Sequence, residues 1–274
     1  MNKPVPHSLS SFDRIVITGG SSGIGAALLQ QFQNLSPDFR FCNLSRSPVK
    51  DSFPEGHILS IPCDLADKES RQKALVRCRE WLKAEDRGGK ILLINNSGFG
   101  GYGEFPSPST DRNLSMIEVN VAGPVWMTGA LAEELKSSKG AVMSIASTAS
   151  FQPTPYLSTY GATKAFVLHW SLGLSQEWKR DGVQVLCVCP GPTETAFFKE
   201  AGFKEAPLKG GSGQTAEEVA KIAINSLAKG KTLVTCGVVN KLVAAGAGRL
   251  PLTWVTWIAA SIMRRLRLER FQNS

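Results

Sequence analysis

Seven short apolar runs constrain this chain more than any other feature: RIVITG (14–19), FRFCNLS (39–45), HILSIPC (57–63), KILLINN (90–96), GAVMSIAS (140–147), VQVLCVCP (183–190) and KTLVTC (231–236). Longer mixed segments of helical pattern lie between most of them, at 23–35, 67–85, 109–137, 158–180 and 215–229. Thr215 and Glu218 form a T-x-x-E capping box at the head of the last. Strands so uniformly apolar leave no face for water, which is the pattern of a parallel sheet covered on both sides. The alternation therefore predicts an α/β fold, a doubly wound parallel sheet of the Rossmann type with right-handed crossovers, in a single domain. Ligands of such a sheet bind beyond the carboxyl ends of its strands.

The first of those ends is ambiguous. Residues 19–23 read GGSSG, which as G-x-S-x-G is a nucleophile elbow presenting Ser21, and as the middle of TGGSSGIG (18–25) is a glycine-rich turn for a dinucleotide pyrophosphate. A hydrolase needs a general-base histidine downstream of both the serine and an acid. His57 precedes the helices that would carry that acid, and His169 falls inside a predicted helix. Serine hydrolysis at Ser21 is therefore disfavoured, and Ser21 and Ser22 are expected to bond cofactor instead.

The remaining ends carry NNSG (95–98), Ser147 and PGPTET (190–195), while Tyr160 and Lys164 stand one helical turn apart in 158–180. This set resembles the short-chain dehydrogenase/reductase family from about residue 12 to 235. The family elements T-G-x-x-x-G-I-G, N-N-A-G, catalytic Ser, Y-x-x-x-K and P-G-x-x-x-T appear in order as TGGSSGIG, NNSG, Ser147, YGATK and PGPTET. Tyr160 follows Ser147 by 13 residues and Asn120 precedes it by 27, as the family pattern expects. NNSGFGGYGEF and YGATKAFVL further resemble a bacterial subgroup of broad ketone and aldehyde reductases. Ser97 departs from the usual alanine but remains small.

Carbonyl reduction needs a hydride, a proton for the oxygen and a polarising donor. Tyr160 suits the proton donor, Ser147 the hydrogen bond to the substrate oxygen, and Lys164 the cation that brings a phenol down from a pKa of about 10. The resemblance adds that Lys164 holds the nicotinamide ribose and that Asn120 organises a water chain to Lys164. It also implies a cofactor seat of Gly19, Ser21, Ser22, Gly23, Ile24, Ser45, Arg46, Asp64, Leu65, Asn96, Ser97, Gly98, Asn120, Tyr160, Lys164, Pro190, Gly191, Thr193 and Thr195. An intact Ser147, Tyr160 and Lys164 argue against a dinucleotide-binding regulator without turnover.

Cofactor choice rests on the end of the second strand. An acid about 20 positions beyond the glycine turn marks a free 2′-hydroxyl. Here that position is Ser45, followed by Arg46, with no Asp or Glu between Asp38 and Asp51. Serine can donate to a 2′-phosphate and arginine can grip it, so NADP(H) is expected, with NAD the lesser alternative. The segment 196–214, with Phe197, Phe198 and Phe203, reads as a mobile lid over an apolar substrate, and Phe99, Tyr102, Phe151 and Tyr156 add to the pocket.

Composition trims the other function classes. Three histidines without ligand spacing predict no metal site. Six cysteines without C-x-x-C, behind an N-terminal MNKPVPHSLSS that lacks an apolar core, point to a reducing, cytoplasmic setting. The net charge of +8 divides unevenly: residues 1–240 carry 25 Lys/Arg against 22 Asp/Glu, and 241–274 carry 6 against 1. The body is thus no basic footprint for nucleic acid. The small-molecule substrate and a homo-oligomer, dimer or tetramer, are the expected partners. The catalytic domain is expected over 12–235 and an amphipathic, basic segment over 236–274. The tail's longest uncharged stretch, LPLTWVTWIAASIM (250–263), is 14 residues with Pro251 inside, too short to cross a bilayer. Trp254, Ile258, Ile262 and Leu266 recur every four residues before the basic RRLRLER (264–270). Arg265 lies near that stripe, which favours a helix packed on the domain or a partner subunit; the competing reading is peripheral contact with an anionic membrane surface.

Overall fold

The computed structural model describes residues 9–50, 53–203, 213–238, 240, 241, 246 and 250–271. Its centre is one sheet of seven parallel strands in the order β3-β2-β1-β4-β5-β6-β9. These are β1 (Phe12–Thr18), β2 (Arg40–Ser45), β3 (Ile58–Pro62), β4 (Lys90–Asn95), β5 (Ala141–Ile145), β6 (Gln184–Cys189) and β9 (Leu233–Thr235). All seven apolar runs of the sequence are therefore strands of a doubly wound sheet. Their side chains alternate between two cores. Ile15, Ile17, Leu92, Ile94, Met143, Leu186 and Val188 face one side, while Val16, Leu93, Val142 and Val185 face the other.

Helices α1 (Gly23–Leu35) and α8 (Ala216–Ala228) cover the first face through Leu28, Leu29, Phe32, Val219, Ala220 and Ala223. The opposite face lies under α2 (Lys68–Ala84), α4 (Gly123–Ala130), α5 (Ala132–Ser137) and α6 (Ser158–Glu177), through Cys78, Trp81, Met127, Leu131, Leu135 and Leu174. Both arms of the Thr215/Glu218 capping box at α8 are made. Between β1 and β4 the winding reverses, since β2 and β3 lie on one side of β1 and β4, β5, β6 and β9 on the other. A cleft opens at such a switch point.

The segment expected as one helix over 109–137 is broken instead. It runs as α3 (Thr110–Ile117), a wider π turn over Glu118–Ala122, then α4 and α5. Pro124 has no N–H to return to the carbonyl of Asn120, and Gly123 N bonds Glu118 O one residue further back than an α-helix allows. Two small elements, absent from the sequence reading, flank the last crossover: a two-residue ladder of β7 (Thr193–Glu194) with β8 (Gln214–Thr215), and the short helix α7 (Phe197–Glu200).

Candidate active site

The turn after β1 is shaped by what its glycines lack. Gly19 and Gly23 adopt φ of 70° and 54°, a region costly for other residues. A Cβ on Gly25 would stand 2.2 Å from the carbonyl oxygen of Gly19 and 2.5 Å from Asn96 Nδ2. The turn is fastened across the switch point. Thr18 Oγ1 accepts from the N–H groups of Asn96 and Ser97, each at 3.1 Å, and Asn96 Nδ2 donates to Gly19 O at 2.9 Å. On the β2 side, Gly20 N donates to Asn43 Oδ1 at 2.8 Å.

Helix α1 begins without help from a side chain. Its N-cap Ser22 makes no capping bond and no acid lies in the first turn, whereas Asp67 caps α2, Ser109 caps α3 and Thr215 caps α8. The N–H groups at the head of α1, next to Ser21, Ser22 and Ile24, are thus left without a side-chain acceptor from the N-cap. Ser21 has no described histidine to act as its base. His57 precedes β3, at the opposite end of the sheet, and His169 is exposed on α6. His7 lies outside the described residues.

The second cluster forms where β5, α6 and the π turn meet. Lys164 is 5% exposed, and its ammonium donates to Ile145 O at 2.8 Å. Ser150, after β5, bonds the Lys164 carbonyl at 2.8 Å. Asn120, 1% exposed, donates through Nδ2 to Phe99 O (2.9 Å) and Thr163 Oγ1 (3.1 Å) and accepts from Phe99 N (3.1 Å). A Cβ on Gly98 would lie 3.1 Å from Asn120 Oδ1 and 3.2 Å from Lys164 Nζ. The missing side chain thus leaves a space bordered by an amide oxygen and an ammonium. Ser147 accepts from Ala149 N at 3.1 Å and hydrogen-bonds the Tyr160 phenol.

Electrostatics in this wedge depart from the sequence expectation in one respect. Lys164 was expected to lower the phenol of Tyr160. Burial instead pushes that phenol up to about 12, the Ser147 hydrogen bond opposing it. Burial also lowers Lys164 from 10.5 to about 8, against a raising influence from Cys187 and Cys189 beneath it. Both groups share one desolvated wedge, and the ammonium is turned to Ile145 O, 5.9 Å from the ring centroid. A charge on either group is therefore penalised before it can assist the other.

At the end of β2 the Ser45 hydroxyl has partners within the chain. The Ser45 hydroxyl accepts from Asn43 Nδ2 at 2.9 Å and donates its single proton to the carbonyl of Ser47. To reach a phosphate, that proton has to turn away from the Ser47 carbonyl. Arg46, next in the chain, is exposed. Beyond β3, Asp64 Oδ1 accepts from Ala66 N at 2.9 Å, and Leu65 is buried beside Gly123. Past β6, Pro190 O accepts from Thr148 N at 2.8 Å, Thr193 Oγ1 donates to Gly191 O at 2.9 Å, and Thr195 packs against Gly23. These residues line the same carboxyl edge.

Aromatic side chains close the front. The ring of Phe197 lies 5.1 Å from that of Tyr160, Phe198 meets Phe203, and Phe203 stacks on Tyr102 at 4.1 Å. Tyr102 N bonds Ala201 O at 2.8 Å, which ties α7 to the loop after β4. The rest of the expected lid, 204–212, lies outside the described residues. Thr18, Asn43 and Thr163 were not singled out from sequence. The only signal for Asn43 was an amide inside an otherwise apolar strand. Among the described residues no group of His, Cys, Asp and Glu is arranged to hold a metal, and the six cysteines are free and buried.

Residues 13–206 match the model of a family described as short chain dehydrogenase. The chain is 30% identical over 217 residues to a serine 3-dehydrogenase of Rhizobium radiobacter, covering 75% of this chain and 84% of that one. It is 32% identical over 194 residues to a very-long-chain 3-oxoacyl-CoA reductase of Anas platyrhynchos, covering 67% and 61%. A short-chain dehydrogenase from Sphingobium yanoikuyae solved with NADPH superposes with a TM-score of 0.72 at 25% identity, over 87% of this chain and 94% of that one. Other solved proteins of this fold hold NADP in one case and NAD in another.

Proposed function

The chain belongs to the short chain dehydrogenase family, and from that premise we propose that it interconverts an apolar ketone or aldehyde and its alcohol with NADP(H). Membership makes it a dehydrogenase/reductase of CH–OH and C=O groups. The observation that carries the finer reading is the convergence of Ser147, Tyr160, Lys164 and Asn120 in one buried wedge beside the glycine turn. When bound, the nicotinamide supplies or accepts the hydride.

The chain's own residues supply the rest. Tyr160 keeps its proton at neutral pH because burial holds the phenol near 12, and it gives that proton to the carbonyl oxygen as negative charge develops there. Ser147 donates a second hydrogen bond to the same oxygen. Lys164, through the space over Gly98, bonds the ribose hydroxyls and offers its positive charge to the phenolate that remains. Asn120, locked by Phe99 and Thr163, fixes the floor on which Lys164 and Gly98 face each other. Gly19, Ser21, Ser22, Gly23 and Ile24 take the pyrophosphate, Asp64 and Leu65 the adenine, and Asn96, Ser97, Pro190, Gly191, Thr193 and Thr195 the nicotinamide half. Phe197, Phe198, Phe203 and Tyr102 favour an apolar substrate, since the α7 side chain that meets the Tyr160 ring is Phe197.

NADP(H) is preferred over NAD(H) because β2 ends in Ser45 and Arg46 with no carboxylate beside them. Arg46 is the residue that grips the 2′-phosphate, and Ser45 joins it where its hydroxyl turns from Ser47. A homo-oligomer is supported by Leu114, Ile117, Val125 and Phe166, exposed on α3, the π turn's flank, α4 and α6. The buried free thiols suit a reducing, cytoplasmic compartment. The test is consumption of NADPH and of NADH with a panel of carbonyls, together with cofactor titration of Arg46→Ala. A charge-assisted bond contributes about 1.5–3 kcal/mol, so the variant should lose roughly ten- to a hundredfold in NADPH affinity and little in NADH affinity. Equal losses for both cofactors, or equal wild-type affinities, would refute the NADP assignment; no turnover with any carbonyl would refute the enzymatic one.

A further inference from the structure

The C-terminal helix, Leu252–Phe271, turns an apolar face away from the rest of the described chain. Successive residues step about 100° around an α-helix, so Trp254, Trp257, Ile258, Ser261 and Ile262 share one arc of about 140°. Val255, Thr256, Ala259, Ala260 and Met263 occupy the other side. Exposure of the large side chains divides along the same line from Trp254 onward: Trp254 is 65% exposed, Trp257 69%, Ile258 43% and Ile262 54%, whereas Val255 is 9%; Leu252, at the helix start, is exposed and Ser261 half-buried. Thr256, Ala259, Ala260 and Met263 are half-buried. The expectation that this stripe packs on its own domain therefore fails, because the sheltered side is the one opposite to it. Leu266, the last residue of the stripe, has its side chain outside the described part.

An uncovered face with two tryptophans demands an occupant. Its chemistry is set by the charges that follow, because Arg264, Arg265, Arg267 and Arg270 occupy the last turns with Glu269 as the single acid. The same helix of a second copy, packed against it, would bring that one acid to four arginines. An anionic bilayer offers phosphates to all of them, and indole rings settle where apolar chains meet polar headgroups. No described helix is long and apolar enough to cross a membrane. We propose that this helix lies in the plane of an anionic lipid surface, with Trp254, Trp257, Ile258 and Ile262 in the headgroup–acyl boundary and its arginine-rich end among the headgroups. The proposal rests on the helix alone and is independent of the catalytic reading.

The experiment compares full-length wild type with W254S/W257S in sedimentation with vesicles of phosphatidylcholine, with and without phosphatidylglycerol, alongside sedimentation velocity of each protein without lipid. Wild type should partition onto the anionic vesicles at least about tenfold more strongly than the variant, since two indoles leave the interface. Binding should weaken on pure phosphatidylcholine and at about 0.5 M salt, where charge attraction is screened. Both proteins should keep the same oligomeric state and the same dinucleotide affinity. Equal partitioning of the two proteins, equal binding to both lipid mixtures, or loss of an oligomer in the variant without vesicle binding by the wild type would overturn the proposal. The last result would make the face a contact between copies.

Discussion

Replacing Lys164 by methionine should make wild type and variant respond differently to pH, with a size set by the burial of one ammonium. Lys164 is 5% exposed and its pKa is lowered from 10.5 to about 8. The unfolded chain therefore holds this proton more tightly than the folded one. The resulting cost is fully present below pH 8 and is relieved as pH rises from 8 toward 10.5. At about 1.36 kcal/mol per pKa unit, the cost is about 3 kcal/mol at pH 7 and about 2 kcal/mol at pH 9. Wild type should thus gain about 1 kcal/mol on the methionine variant between those two pH values. The packing that methionine changes and the bond that the neutral amine keeps to Ile145 O are independent of pH and cancel, as does every titration common to both proteins. The assay is urea unfolding of both proteins at the two pH values, followed by circular dichroism, without dinucleotide. A wild-type-to-variant difference that stays constant within about 0.3 kcal/mol would refute the claim that burial dominates this lysine. The variant should also lose turnover, so that any stability it gains at pH 7 marks a charge kept in the core for function.

Tyr160→Phe should lower turnover by roughly a hundredfold or more while dinucleotide affinity changes little, because only the proton donor is removed; wild-type rates in the variant would exclude that role. For reduction, kcat/KM reports groups of the free enzyme, so it should hold below pH 8 and fall as pH rises through about 8, where Lys164 loses its charge while Tyr160, near 12, keeps its proton. A profile flat to pH 10 would remove the ammonium from the chemistry. Gly25→Ala should weaken dinucleotide binding at least about tenfold in a calorimetric titration, since its Cβ would stand 2.2 Å from Gly19 O and force the turn open. Unchanged affinity would locate the pyrophosphate elsewhere.

The sequence by itself determined the elements and their class. Seven runs with no polar face could only be strands buried on both sides, and the helices at 23–35, 158–180 and 215–229 followed from periodicity and, at Thr215 and Glu218, from a local capping signal. The order of Ser147, Tyr160 and Lys164 was legible too, because strand ends and one helical turn are local features. What needed the tertiary structure was everything set by burial or by neighbours distant in sequence. The π turn at Asn120 depends on a missing donor at Pro124, visible in the sequence, but its use depends on Phe99 and Thr163 lying within hydrogen-bond reach. That Asn43 and Ser47 share the Ser45 hydroxyl is likewise a matter of side-chain placement and not of residue type. Lys164 reads as the cation that lowers a phenol, but desolvation in the shared wedge raises the Tyr160 phenol and lowers Lys164 itself. The tail's apolar stripe was readable at four-residue spacing, yet which side of that helix the fold would shelter is decided by packing, and packing sheltered Val255 and left the tryptophans outside.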